Sequence, residues 1–268
     1  MSEYSEAYQQ ATGKKPPIQY PALDRLFDAM KRGERLPPRG QQSVDAGLVA
    51  HALVDDKADP EHYRYYQWAI KQYLHLPAVN EMSAKLIGMV FVSANVFATD
   101  LPQPLTLNPW QAEKMQDWPL AAERAVIIEN NGVFIWLHHL HPDWPLIDQG
   151  GNDFQETYLT LFAKLVTRGL TVTYLGDLDA TGVRIADTLK QALPDTPDFL
   201  AIQTPAWVLE QLSSWGKRDP ARTRFQSVQD PDLKKEMVSI NRLGLLVEQE
   251  QLIGEYEKKI SSWLNLVL

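Results

Sequence analysis

Between Pro21 and Met30 the apolar residues Leu23, Leu26, Phe27 and Met30 recur at helical spacing, and Gly33 offers a stop, so the pattern predicts a helix there. The stretch from Gly33 to Gln42 carries Arg35, Pro37, Pro38 and Arg39 without apolar periodicity and reads as an exposed loop. Asp59-Pro60-Glu61 then supplies a capping side chain, a first-turn proline and an acid at the positive end of a helix dipole; a helix is expected from there to about Leu74. Leu86 to Ala98 is the longest nearly apolar run, but it is too short to cross a bilayer and contains Ser93 and Asn95. Pro102, Pro104 and Pro109 break the segment from Thr99 to Trp118, which marks a boundary between two expected units. These are residues 1–118, mainly helical with a winged helix as one admissible form, and residues 119–268.

Past residue 120 the pattern changes. Ala125–Ile128 is a short β-rich apolar run, and Phe154, Tyr158, Leu161 and Leu165 follow at helical spacing up to a stop at Gly169. Thr171–Leu175 reads as a second strand, Gly182 to Leu193 as a helix ended by Pro194, and Phe199 to Gln203 as a third strand. Further helices are expected at Thr204-Pro205, at Asp230-Pro231 and after Glu248. Strands alternating with helices imply an α/β unit: a Rossmannoid parallel sheet with flanking helices, preceded by the helical N-terminal unit.

Composition narrows the chemistry. The 268 residues are 44% hydrophobic and 22% charged, ordinary for a globular chain, and include no cysteine. Disulfides, thiolate nucleophiles and cysteine-based zinc sites are therefore excluded, a cytoplasmic location is expected, and any metal must be held by oxygen or imidazole. Met1 to Gln10 is polar and acidic, unlike a secretory signal, and no membrane association is expected. The formal charge of −8 opposes non-specific binding of a polyphosphate.

In a parallel sheet, ligands bind beyond the carboxyl ends of the strands. Glu129 directly follows Val126-Ile127-Ile128, and Asp177 and Asp179 follow Thr171–Leu175 across Gly176. Two acids at i and i+2 leave a strand in the same direction. If the two strands are neighbours, all three carboxylates face one small volume, where their repulsion is costly unless a divalent cation neutralises it. Magnesium, with manganese as the alternative, suits such oxygen ligands. Gly176 and Gly182 favour this reading because glycine lets backbone approach a ligand. The plainer alternative is that Asp177 ends a strand while Asp179 or Thr181 caps the next helix.

These residues carry a resemblance. Ile127-Ile128-Glu129-Asn130 followed by Tyr174-Leu-Gly-Asp177-Leu-Asp179-Ala-Thr-Gly182 resembles the Toprim domain, within it the branch holding the topoisomerase VI A subunit and JetD, the nuclease subunit of Wadjet plasmid-defence systems. Gly244-Leu-Leu-Val-Glu248-Gln-Glu250 is similar to a Leu-Glu-Gln-Glu signature near the end of JetD-like chains, with Val247 in place of leucine. The resemblance covers roughly residues 124 to 253. It implies magnesium-assisted cleavage of DNA, with Glu129 as acid/base and Asp177 and Asp179 holding metal, and an SMC-like ATPase complex as partner. Glu248 and Glu250 either complete the metal shell or are first-turn acids of a helix.

Other features have competing readings. Lys217, Arg218, Arg222 and Arg224, followed by Lys234 and Lys235, are the best DNA-contact candidates, though such a run is also what a solvated face looks like. Asn130 and Asn131 orient a phosphate or form a turn, and Gln149-Gly150-Gly151-Asn152 offers backbone N–H groups to one. Arg64-Tyr65-Tyr66 is similar to the surroundings of the topoisomerase nucleophile, but aromatic packing on one helix is the commoner explanation. His138, His139 and His141 diverge too much for a metal cluster, and Trp207 and Trp215 read as core or subunit packing, the latter compatible with a homodimer. Two other functions remain open: a haloacid-dehalogenase-like phosphatase with Asp177 as nucleophile, and a non-catalytic assembly subunit.

Overall fold

A computed structural model describes residues 1–82, 91–150 and 156–265. The chain forms two compact units, Met1–Ala84 and Lys85–Leu268.

The first unit is helical: α1 (Glu3–Thr12), α2 (Tyr20–Lys31), α3 (Arg39–Asp45) and α4 (Pro60–Trp68), which continues as a π-helical turn over Ala69–Tyr73. Asp59 caps α4 and Pro60 opens it, as the sequence indicates. Inside, Leu23 and Phe27 of α2 meet Tyr65 and Tyr66 of α4, all fully buried, with Tyr8 and Phe27 set edge-on to Tyr65 at 5.0 and 5.4 Å. Helix α3 begins inside the segment expected to be a loop: from Arg39 the backbone turns, and Gln42 and Glu81 fasten it through the guanidinium of Arg39 and the amide of Gln42.

The second unit is built on a five-stranded mixed sheet of β1 (Phe91–Ala94), β2 (Leu105–Leu107), β3 (Arg124–Ile128), β4 (Leu146–Asp148) and β5 (Thr171–Leu175), in the order β2-β1-β4-β3-β5. Strand β3 pairs in parallel with β4 and β5, whereas β1 is antiparallel to both β4 and β2. Valines, isoleucines and leucines along β3 and β5 are fully or nearly fully buried, as a sheet covered on both faces requires. Helices α5 (Pro109–Met115), α6 (Asn131–Leu140), α7 (Glu156–Thr167), α8 (Ala180–Ala192), α9 (Pro205–Trp215), α10 (Pro231–Leu243) and α11 (Ile253–Trp263) flank it, and β6 (Lys217–Arg218) pairs with β7 (Leu245–Leu246). Among the described residues no helix is long and apolar enough to cross a membrane.

Two expectations are corrected. The boundary drawn at 118/119 runs through the second unit, because β1 is laddered onto β4 (Val92 opposite Asp148) and β2 onto β1. Phe199 to Gln203 is not a strand. It forms tight turns instead, Ala201 N–H to the Asp198 carbonyl at 2.9 Å and Thr204 N–H to that of Ile202 at 3.0 Å, although the Phe199 carbonyl still accepts from Tyr174 N–H of β5 at 2.8 Å. The expected α/β architecture is present, with β1 joining the parallel strands of the sheet antiparallel. The start of the helix expected from Phe154 lies outside the described residues; α7 is described from Glu156.

Candidate functional site

The site begins where β3 ends. Glu129 N–H bonds the Leu175 carbonyl at 3.0 Å, so the ladder runs one residue past the strand and sets Glu129 beside the turn leaving β5. Ile127 is in register with Tyr174, and the two-residue period of a strand therefore puts Tyr174 on the same face as Glu129. Its buried hydroxyl donates to Glu129 Oε2 at 3.0 Å, and Asp177 N–H donates to the same oxygen at 3.1 Å. A Cβ on Gly176 would collide with that oxygen, and one on Gly182 with the Asp177 carbonyl. Both positions therefore require glycine for close approach.

Asp177 and Asp179 do leave β5 toward the same volume. Asp179 Oδ1 caps α8 by accepting from Thr181 and Gly182 N–H at 2.9 and 2.8 Å, so the capping reading is right for that oxygen. Its Oδ2 faces inward and accepts from Arg222 Nε at 2.7 Å. Asp177 Oδ2 accepts from Arg222 Nη2 at 3.0 Å, and Oδ1 from Gln249 N–H at 2.9 Å. An antiparallel bridge, Leu178 with Val247, clamps the 248–250 turn against the aspartates. There Glu248 opens the 3-10 turn Gln249–Leu252 and takes the third Arg222 nitrogen, Nη1, at 2.9 Å. Glu250 Oε1 accepts from Asn130 Nδ2 at 3.0 Å, while Asn130 Oδ1 caps α6. Asn130 is thus a turn residue that also fixes an acid.

Glu129, Asp177, Asp179, Glu248 and Glu250 share this buried volume with the single guanidinium of Arg222. Burial first, and then the neighbouring Asp177, push the Glu129 carboxyl well above its ordinary range. Asp177 is raised by burial and by Glu250 and Asp179, and Glu250 by burial and Glu248. Arg222 brings a single charge to the three carboxylates it meets, and an all-oxygen donor set is the kind a hard divalent cation takes. Among the described residues, however, no three such side chains are gathered around a common point; Asp177, Asp179 and Glu248 close on Arg222 instead.

The basic residues separate. Lys217 and Arg218 form β6, and Arg218 and Arg224 are exposed, but Arg222, grouped with them as a DNA contact, is drawn inward by three carboxylates. Nothing in the local sequence Asp219-Pro-Ala-Arg222 signals this, because the contacts are all long-range. Tyr174 was equally hidden until strand adjacency was known. Tyr65 and Tyr66 are aromatic core, their hydroxyls bonded to Asp24 and Gln42. His141 stacks on Trp144 at 3.8 Å and meets Glu257 at 2.9 Å, while His139 lies on Trp136, so these histidines share no ligand sphere. Trp207 is buried and Trp215 exposed. Asp55 and Asp56, the one adjacent aspartate pair, lie in the first unit. Of the Gln149–Asn152 loop, residues 151 and 152 lie outside the described residues.

A mixed α/β unit with acids assembled at the carboxyl ends of parallel strands defines the class of protein. The family follows: the profile described as "Protein of unknown function C-terminus (DUF2399)" matches residues 105–259, more than half of the chain, and the chain belongs to that family. No curated protein matches it.

Proposed function

We propose that this protein is a metal-dependent nuclease or nickase that cleaves DNA phosphodiester bonds, with a Toprim-like site of the topoisomerase VI A and JetD branch. The observation that carries the proposal is the convergence of Glu129, Asp177, Asp179, Glu248 and Glu250, brought from two strand ends and a distant turn, with Arg222 paired to Asp177, Asp179 and Glu248. Those five acids would hold the ion. Bound there, magnesium or manganese would supply charge neutralisation at phosphate and a more acidic water.

Glu129 is the acid/base of this reading. Tyr174 and the Asp177 N–H fix its Oε2, which leaves Oε1 to accept or return a proton. The backbone N–H of Gln249 and the amide of Asn130 orient Asp177 and Glu250. Arg218 and Arg224, exposed on the same unit, are the remaining arginine candidates for DNA backbone contact. The resemblance further suggests an SMC-like ATPase complex as partner, in keeping with a formal charge of −8 that disfavours unaided DNA binding.

Nicking of supercoiled plasmid with and without divalent metal tests this. Glu129→Gln and Asp177→Asn are each expected to lower the rate by about a hundredfold or more. Equal activity in wild type and both variants would sink the assignment.

A further inference from the structure

We propose that Arg222 is the resident counter-ion of the acid pocket, holding Asp177, Asp179 and Glu248 together until a divalent cation takes its place. The inference rests on the metal-dependent reading above. Each guanidinium nitrogen meets a different carboxylate: Nε with Asp179 at 2.7 Å, Nη1 with Glu248 at 2.9 Å and Nη2 with Asp177 at 3.0 Å. A fork with its donors spent on three separate acids is a gathering device, not a single surface pair, and unlike a shared proton it keeps its charge at every working pH.

The segment is built so that the side chain alone can move. Its carbonyl accepts from Ala180 N–H at 3.0 Å, and its own N–H is held by Asp219 Oδ1 at 3.1 Å. These bonds pin the Arg222 backbone to the start of α8, beside the aspartates. The Arg222 side chain as a whole is 32% exposed, whereas those of Asp177, Asp179 and Glu248 are 21%, 4% and 6% exposed. Of these four side chains the arginine is the most exposed, and Asp179 and Glu248 are the least.

Charge decides the direction of exchange. Arg222 brings one positive charge to three carboxylates, and a divalent cation brings two. The guanidinium occupies Asp177 Oδ2, Asp179 Oδ2 and Glu248 Oε1, so a cation held by those acids would have to displace it. Arginine in this role lets the acids fold into a buried site without metal, at the expense of metal affinity.

Manganese binding, measured by calorimetry and by electron paramagnetic resonance at about pH 8, separates the possibilities. Arg222→Gln is expected to bind manganese about tenfold more tightly than wild type and to melt lower than wild type in chelator, with metal closing that gap. Equal or weaker binding by the variant overturns the exchange while leaving the metal site standing. Binding by neither protein removes both. Should Arg222→Gln fail to fold, the wild type decides: its Arg222 Nε–H resonance, assigned with Arg222→Lys, is expected to shift in step with magnesium occupancy, and an unmoved resonance overturns the proposal.

Discussion

Gly176 lies where a single methyl group would strike the carboxylate of Glu129 and the ring of Tyr174. None of these can retreat easily, since Tyr174 is fully buried and Glu129 is held from two sides. Gly176→Ala is accordingly expected to destabilise the second unit by about 1–3 kcal/mol, read from urea denaturation, through overpacking. Asp148, at the end of β4, behaves differently. Burial raises its carboxyl to about 7 against an ordinary 3.8, and only the Gly150 N–H opposes this. The folded chain thus keeps a proton that the unfolded chain releases, so stability falls as pH rises from about 4 to about 7 and levels off beyond. Asp148→Asn removes that loss. Its stability relative to wild type should be higher at about pH 8 than at about pH 4; a pH-independent difference would refute the account.

Among the elements, those with local punctuation were readable in advance. Asp59-Pro60, Thr204-Pro205 and Asp230-Pro231 each open a helix as their chemistry requires. Strands β1, β2 and β4 were not readable, because three or four residues are too few to show a period and their pairing is long-range. Phe199 misled for the opposite reason: its apolar neighbourhood serves to stack on Tyr174 at 5.4 Å, not to add a strand. The three core acids were legible because each directly trails a strand, while Arg222 was not, since its partners are 26 to 45 residues away. Asp230 carries a prediction here. It caps α10 and pairs with Lys190 at 2.6 Å. Burial works against its charge, but the Lys190 ammonium and the Leu233 and Asp232 N–H groups prevail and hold the carboxyl below its usual range. Asp230→Ala should cost about 0.5–2 kcal/mol near neutral pH. That deficit should shrink as acid protonates the wild-type carboxyl below its ordinary value, since the contribution exists only while Asp230 is charged.

At the scale of the molecule, the proposed centre links folding to metal. A cation that binds only the folded chain stabilises it by about 2.7 kcal/mol at a hundredfold excess over its dissociation constant. Magnesium or manganese should therefore raise the melting temperature of wild type, and Asp177→Asn should blunt the rise; identical shifts in both would place the bound ion elsewhere. The Leu178–Val247 bridge has a consequence in time as well as space. It brings Gln249 to Asp177 across 72 residues and to Asn130 across 119. A ribosome extends the chain from its N-terminus, so Glu129 and the aspartates emerge long before the turn that orients them. A polypeptide ending before residue 247 would carry the aspartates without their clamp, and the proposed cutting activity would wait until the 248–250 turn had been made.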